Sequence, residues 1–174
     1  MENLYLAYLG GRLSGGHIEM HDVRFVHGET IRATYGQLKQ QWVGNKQGAH
    51  LDAYIRLHHI DGYQITLSTE PSPGPWLYFV NFGGYHAQQL AELHQFFVVV
   101  AESPENAKQR AWQKLQHNRS IPWLQAHLDD LKQVDDCFAI SLIDSPYYIH
   151  LNFQGAHLSQ SQPLQPDWYG FEKL

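Results

Sequence analysis

A chain of 174 residues with 43% hydrophobic, 13% aromatic and 17% charged residues carries enough apolar surface to offset the entropy of folding; this excludes the disordered class and allows one core or two small ones sharing an interface. A net charge of −5 and a pI near 6.1 supply no basic field for phosphates, so no nucleic-acid partner is expected. No stretch approaches the length of a membrane span, Met1-Glu2-Asn3 lacks the basic start of a signal peptide, and one cysteine, Cys137, suits a reducing compartment, so a soluble, cytoplasmic protein is expected. Cys137 reads as a small buried apolar residue beside Phe138 rather than as a nucleophile. Twelve histidines are many for this length and raise the prospect of a metal-dependent or pH-dependent site.

In chain order, Leu4 to Leu9 is short, apolar and aromatic and stops at Gly10-Gly11, as a strand ended by a glycine turn does. A polar, glycine-rich loop follows from Arg12 to Gly16. His17 to His27 alternates and is rich in valine and phenylalanine, which predicts a second strand with Glu19 and His21 on one face. Ile31, Tyr35, Leu38 and Trp42 form the stripe of an amphipathic helix with Thr30 as its N-cap. Leu51 to His59 and Tyr63 to Ser68 then flank Asp61-Gly62, a type I′ hairpin signal.

The same order returns. Leu9-Gly10-Gly11 recurs as Phe82-Gly83-Gly84, Glu19-Met20-His21 as Glu92-Leu93-His94, Phe25-Val26 as Val98-Val99 and Glu29-Thr30 as Glu102-Ser103, each 73 positions on. Ala49-His50-Leu51-Asp52 recurs identically as Ala126-His127-Leu128-Asp129 at an offset of 77, and Ile65-Thr66-Leu67 is answered by Ile140-Ser141-Leu142. Collinear matches of this kind mark a tandem duplication. In copy two Ser103-Pro104-Glu105 is the stronger helix start, and that helix should run to about Gln116. The segment Tyr148 to His157 resembles the strand from Leu77 to His86, as though a third copy starts and stops there. The aromatic end, Trp168-Tyr169-Gly170-Phe171, is expected to dock.

The fold expected is therefore α+β: two tandem pseudo-symmetric β-β-α-β-β units, mainly antiparallel sheet with helices on one side. Residues 1–75 form the first repeat, 76–146 the second, and 147–174 an extra strand with the aromatic tail. The strand at 147–153 is expected to pair within the chain, and the protein to be a monomer or homodimer.

Two recurring pairs invite a chemical reading, Glu-x-His on the second strand and His-x-Asp at the start of the third. Residues two apart on a strand share a face, so each pair presents one carboxylate and one imidazole together. If the two strands are neighbours, Glu19, His21, His50 and Asp52 converge, and Glu92, His94, His127 and Asp129 repeat the set. Two imidazoles and two carboxylates suit a divalent transition metal such as zinc, manganese or iron. The structural alternative is that each carboxylate only accepts a hydrogen bond from its neighbouring imidazole, satisfying both groups at a partly buried sheet. Of the two copies, the first is expected to be the open one, because Asp22, His17 and the glycine-rich loop add polar neighbours there. The sequence names no catalytic residue and no organic cofactor. The function expected is a binding or interaction module for a small ligand or protein, with no membrane partner; the alternative is a metal-dependent, hydrolase-like enzyme with one Glu/His/His/Asp set per repeat.

Other features have plainer explanations. Gly10-Gly11 with Gly15-Gly16 lacks the following helix of a phosphate cradle, and copy two has Gln88-Gln89 in place of the second pair. Trp42, Trp76, Trp112 and Trp123 lie at element ends within apolar patterns and read as packing.

The Leu9-Gly10-Gly11 turn, the Glu19-Met20-His21-Asp22 segment and Leu51-Asp52-Ala53-Tyr54 ahead of Asp61-Gly62-Tyr63 resemble the bacterial domain of unknown function family 1543. The resemblance covers residues 4 to 68 and, more loosely, 77 to 143. It implies a domain present in one or two copies per chain with no assigned activity, so it bears on fold rather than mechanism. Copy two has Gln95 where copy one has Asp22, which argues against a strict role for that aspartate.

Overall fold

The structure, a computed structural model, describes residues 2–117 and 134–174. Strands β1 (Asn3–Gly11) and β2 (Met20–Gly28) form an antiparallel pair, followed by a 3-10 turn (Ile31–Thr34) running into α1 (Tyr35–Gln41). Thr30 caps the turn through its side chain, as its position before the apolar stripe indicates. The expected single helix is thus a turn plus seven helical residues; its first turn has no acid, and Gly36 lies inside it. β3 (His50–Leu57), β4 (His59–Ile60) and β5 (Tyr63–Ser68) complete the first half. Asp61 and Gly62, with φ of 53° and 85°, make the turn between β4 and β5; both residues in the left-handed region is what a type I′ turn requires.

The second half runs β6 (Trp76–Gly84), β7 (Leu93–Ala101), α2 (Pro104–His117), β8 (Val134–Ala139), β9 (Tyr148–Phe153) and β10 (Trp168–Lys173). The Ser103 hydroxyl accepts from the Asn106 N–H at the start of α2. The strand order is β10-β3-β1-β2 in one sheet, β7-β6-β8 in a second, and β4-β5-β9 in a third. Copy one thus has β2-β1-β3 where copy two has β7-β6-β8, and the registers agree: Tyr8 opposes Val23 as Asn81 opposes Phe96. The third-strand pairings shift register between Tyr8 and Leu9 in one copy and between Asn81 and Phe82 in the other, which are equivalent positions.

This shared bulge corrects the alignment of the third strand. Leu51 and Val134 both sit opposite the residue after the shift, Leu9 and Phe82. Val134 lies 83 positions after Leu51, so the tetrapeptide match at an offset of 77 does not mark the equivalent strand. Ile140, whose N–H donates to the Leu77 carbonyl, occupies the place of Leu57 opposite Leu4 rather than that of Ile65. The segment containing His127 and Asp129, and Trp123 with it, lies outside the described residues.

Alternation along β1 divides its side chains between two cores. Tyr5, Ala7 and Leu9 pack with Leu38 and Trp42 of α1 and its flank, whereas Leu4 and Leu6 pack with Phe25, Ile55 and Leu57 against Leu77, Phe79, Val98 and Val100 of the other copy. In copy two, Tyr78, Val80 and Phe82 pack on Ala107, Ala111 and Leu115 of α2. The two sheets therefore lie face to face and each helix covers the outer face of its own sheet. The expected placement of the helices on one side is not found, because each sheet's other face is taken by its partner; each large apolar side chain buried there contributes on the order of 1.5–3 kcal/mol. β9 pairs with β5, so the strand read as an aborted third copy closes within the chain. β10 adds to the edge of β3, where Trp168 stacks on Tyr54, although Tyr169 and Phe171 remain exposed. No described helix is long and apolar enough to cross a membrane.

Candidate functional site

The site is built on the glycine turn of β1. Gly10 pairs with His21 on one side and with His50 on the other, which brings the two histidines alongside it from different strands. A side chain at residue 10 would not fit: a Cβ there would lie 2.6 Å from Asp52 Oδ2 and closer still to His50 Nε2. The β3 bulge at Asp52 resets the strand's alternation. Leu51 faces α1, yet Ile55 faces the other sheet, so His50 and Asp52 before the shift end up on the inter-sheet face with Ile55 and Leu57 after it.

The four side chains picked out in copy one meet in a line. Glu19 Oε1 lies 3.5 Å from His50 Nε2, which lies 3.2 Å from Asp52 Oδ1, and Asp52 Oδ2 lies 3.4 Å from His21 Nε2. His50 Nδ1 is 3.0 Å from the Gly48 carbonyl, which can only accept, so Nδ1 carries the hydrogen and Nε2 is the atom turned to the carboxylates. His50 is buried; Glu19 and His21 are about 40% exposed at their side chains. His21 lies flat on Tyr8, with centroids 5.4 Å apart. Burial holds the Asp52 carboxyl above the usual range, opposed by His50 and His21 and reinforced by Glu19. Its Oδ2 is out of solvent with no hydrogen-bond partner, because the His21 contact is close but poorly aligned. Among the described residues, no three His, Cys, Asp or Glu side chains enclose a common point as a metal ion would need.

Copy two meets copy one across a cavity of about 200 Å³ between the sheets. Tyr8, His21, Asp22 and Val23 line it from one side, and Phe79, Asn81, His94, Phe96 and Asp136 from the other. Three pairs of these are equivalent positions in the two registers: Tyr8 and Asn81, His21 and His94, Val23 and Phe96. Asn81 donates through Nδ2 to Asp136 Oδ2 at 3.2 Å, which fixes the orientation of its amide; Oδ1 is left buried without a partner in a residue only 7% exposed. The same Nδ2 is 3.2 Å from His94 Nδ1. Tyr8 and Phe96, with rings 6.0 Å apart, also line an adjoining apolar cavity of about 180 Å³ with Leu6, Ile55 and Leu164.

The profile of a family described as Domain of Unknown Function (DUF1543) matches residues 16–67 and again residues 89–142. The chain belongs to the DUF1543 family. A solved structure described as the crystal structure of a protein Il1583 from Idiomarina loihiensis is similar over its whole length, at 38% identity and a TM-score of 0.74, covering 99% of this chain and 97% of that one. No curated protein matches significantly.

Within this DUF1543 chain the expected residues divide. Glu19, His21, His50 and Asp52 come together; Glu92 is exposed, His94 faces the shared cavity, and His127 and Asp129 lie outside the described residues. Asn81 and Asp136 were not singled out. Only the bulge in the third strand of copy two puts Asp136 opposite Asn81. Cys137 is half-buried, and burial pushes its thiol up, consistent with a packing role. A further cavity, about 570 Å³, lies at the far end of β1 beside Glu2, Arg56, His58 and Tyr147, but among the described residues none of its lining polar groups is a buried atom left without a partner.

Proposed function

We propose that this chain is a small-ligand binding module with one site, shared by the two repeats, in the cavity between their sheets. The observation that carries the reading is the Asn81 carbonyl, buried in that cavity with no donor, since an unmet buried acceptor costs roughly 1–3 kcal/mol unless something supplies a hydrogen bond. Asp136 and Asp22 add carboxylates to the same lining, of which Asp22 is paired with Arg24. Aromatic faces at Tyr8, Phe79 and Phe96 complete a surround suited to an ammonium group. The adjoining apolar cavity beyond Tyr8 and Phe96 gives a short hydrocarbon chain a place to lie. The ligand class that fits is a small primary amine.

Thermal melting with short alkylamines tests this, with carboxylates of equal length as controls. At a hundredfold excess over Kd a ligand stabilises by about 2.7 kcal/mol, a rise of several degrees for a chain of this size. The amines should raise Tm and the carboxylates should not, and Asn81→Leu should abolish the response while the variant remains folded. Equal stabilisation by carboxylates, or an unchanged amine response in the variant, contradicts the reading. A metal-dependent hydrolytic role is the second reading, favoured by the imidazole–carboxylate line that reaches the cavity at His21.

A further inference from the structure

We infer that Glu19, His21, His50 and Asp52 form a binding site for one divalent transition-metal ion beside the inter-repeat cavity. This goes beyond the amine site, with which it shares only His21. Contacts of 3.5, 3.2 and 3.4 Å link Glu19 to His50, His50 to Asp52 Oδ1 and Asp52 Oδ2 to His21, so two imidazole nitrogens and two carboxylates, the donor types zinc takes at ~2.0–2.2 Å, are gathered in one place. His50 has the outer support that metal-ligating histidines use, its Nδ1–H held by the Gly48 carbonyl so that Nε2 offers its lone pair inward. Asp52 Oδ2 is buried and has no hydrogen-bond partner. Gly10 provides the space, because any side chain there would fill it.

The four groups are strung in a line, so gathering them around one point takes a movement of the outer two. His50 and Asp52 are held by burial and by the bulge, whereas the half-exposed Glu19 and His21 stand at the ends of the line, where a side-chain rotation closes the set. The residue types, two imidazoles and two carboxylates, select zinc, cobalt(II) or manganese over calcium or magnesium. Among the described residues the site has no counterpart in copy two, where His94 is engaged with Asn81.

Cobalt(II) and zinc chloride, added to full-length untagged protein freed of metal by chelation, provide the probe. Calorimetry should give one zinc per chain, and cobalt should show the strong visible absorption of a tetrahedral site. Glu19→Gln and His21→Gln, both at half-exposed positions, should each weaken zinc at least tenfold; Asn81→Leu should leave zinc affinity unchanged while removing the amine response. Because twelve histidines offer other sites, the double variant His58→Gln/His59→Gln serves as control and should bind zinc as the native chain does. No saturable binding, binding unaffected by Glu19→Gln and His21→Gln, or binding lost in the His58/His59 variant overturns the inference. Loss of the amine response alone would count against the proposed ligand site and leave the metal site standing.

Discussion

Asp52 is the residue on which most of the copy-one chemistry turns. Burial raises its carboxyl most, His50 and His21 pull it down, and Glu19 pushes it up, leaving it above the ordinary aspartate value. A raised acid binds more protons folded than unfolded, so its contribution is present below the unfolded value near ~3.9 and is lost as pH rises through the folded value. Asp52→Asn should therefore flatten the decline in Tm on going upward from about pH 4, measured by melting native and variant proteins in matched buffers. Identical pH profiles would show that Asp52 is not the titrating group. This residue could be picked from the sequence because Glu-x-His and His-x-Asp sit on strands where two-residue spacing means one face. Asn81 could not, since an asparagine inside an apolar strand is conspicuous only once Asp136 is known to lie opposite it.

Among the elements, the strands, the caps at Thr30 and Ser103 and the Asp61-Gly62 turn follow from local chemistry that acts within a few residues. The bulges at Asp52 and its counterpart position do not, because their signal is a register between strands far apart in sequence, and a one-residue change of register exchanges the faces. That is why an identical tetrapeptide gave the wrong alignment for the third strand. The hairpin also does more than turn. The side chain of Asp61, 5% exposed, accepts from the Val100 N–H at 2.9 Å and meets Lys114 at 2.6 Å and Arg110 at 3.3 Å, so a loop of copy one is tied to β7 and α2 of copy two. Asp61→Ala leaves the Val100 N–H without its acceptor and removes the partner of two partly exposed cations, and should cost about 1–3 kcal/mol in urea unfolding. A loss below 1 kcal/mol would mean that the latch is incidental.

At the scale of the whole molecule, duplication has produced two sheets that cover one another, leaving each helix on an outer face. The sequence carries a sign of this: β1 and β6 are apolar on both faces, the pattern of strands buried on both sides, whereas alternation fits sheets with one wet face. What alternation cannot specify is which surface supplies the second cover, because any apolar face would serve. The face-to-face arrangement sets His21 and His94 around one cavity where the sequence pointed to a separate site in each repeat. Crystals soaked with butylamine test that central claim most directly. The account predicts one amine per chain between His21 and His94, its nitrogen within hydrogen-bond distance of Asn81 Oδ1; an empty inter-sheet cavity with the amine bound instead beside Glu2, Arg56 and Tyr147 would contradict it.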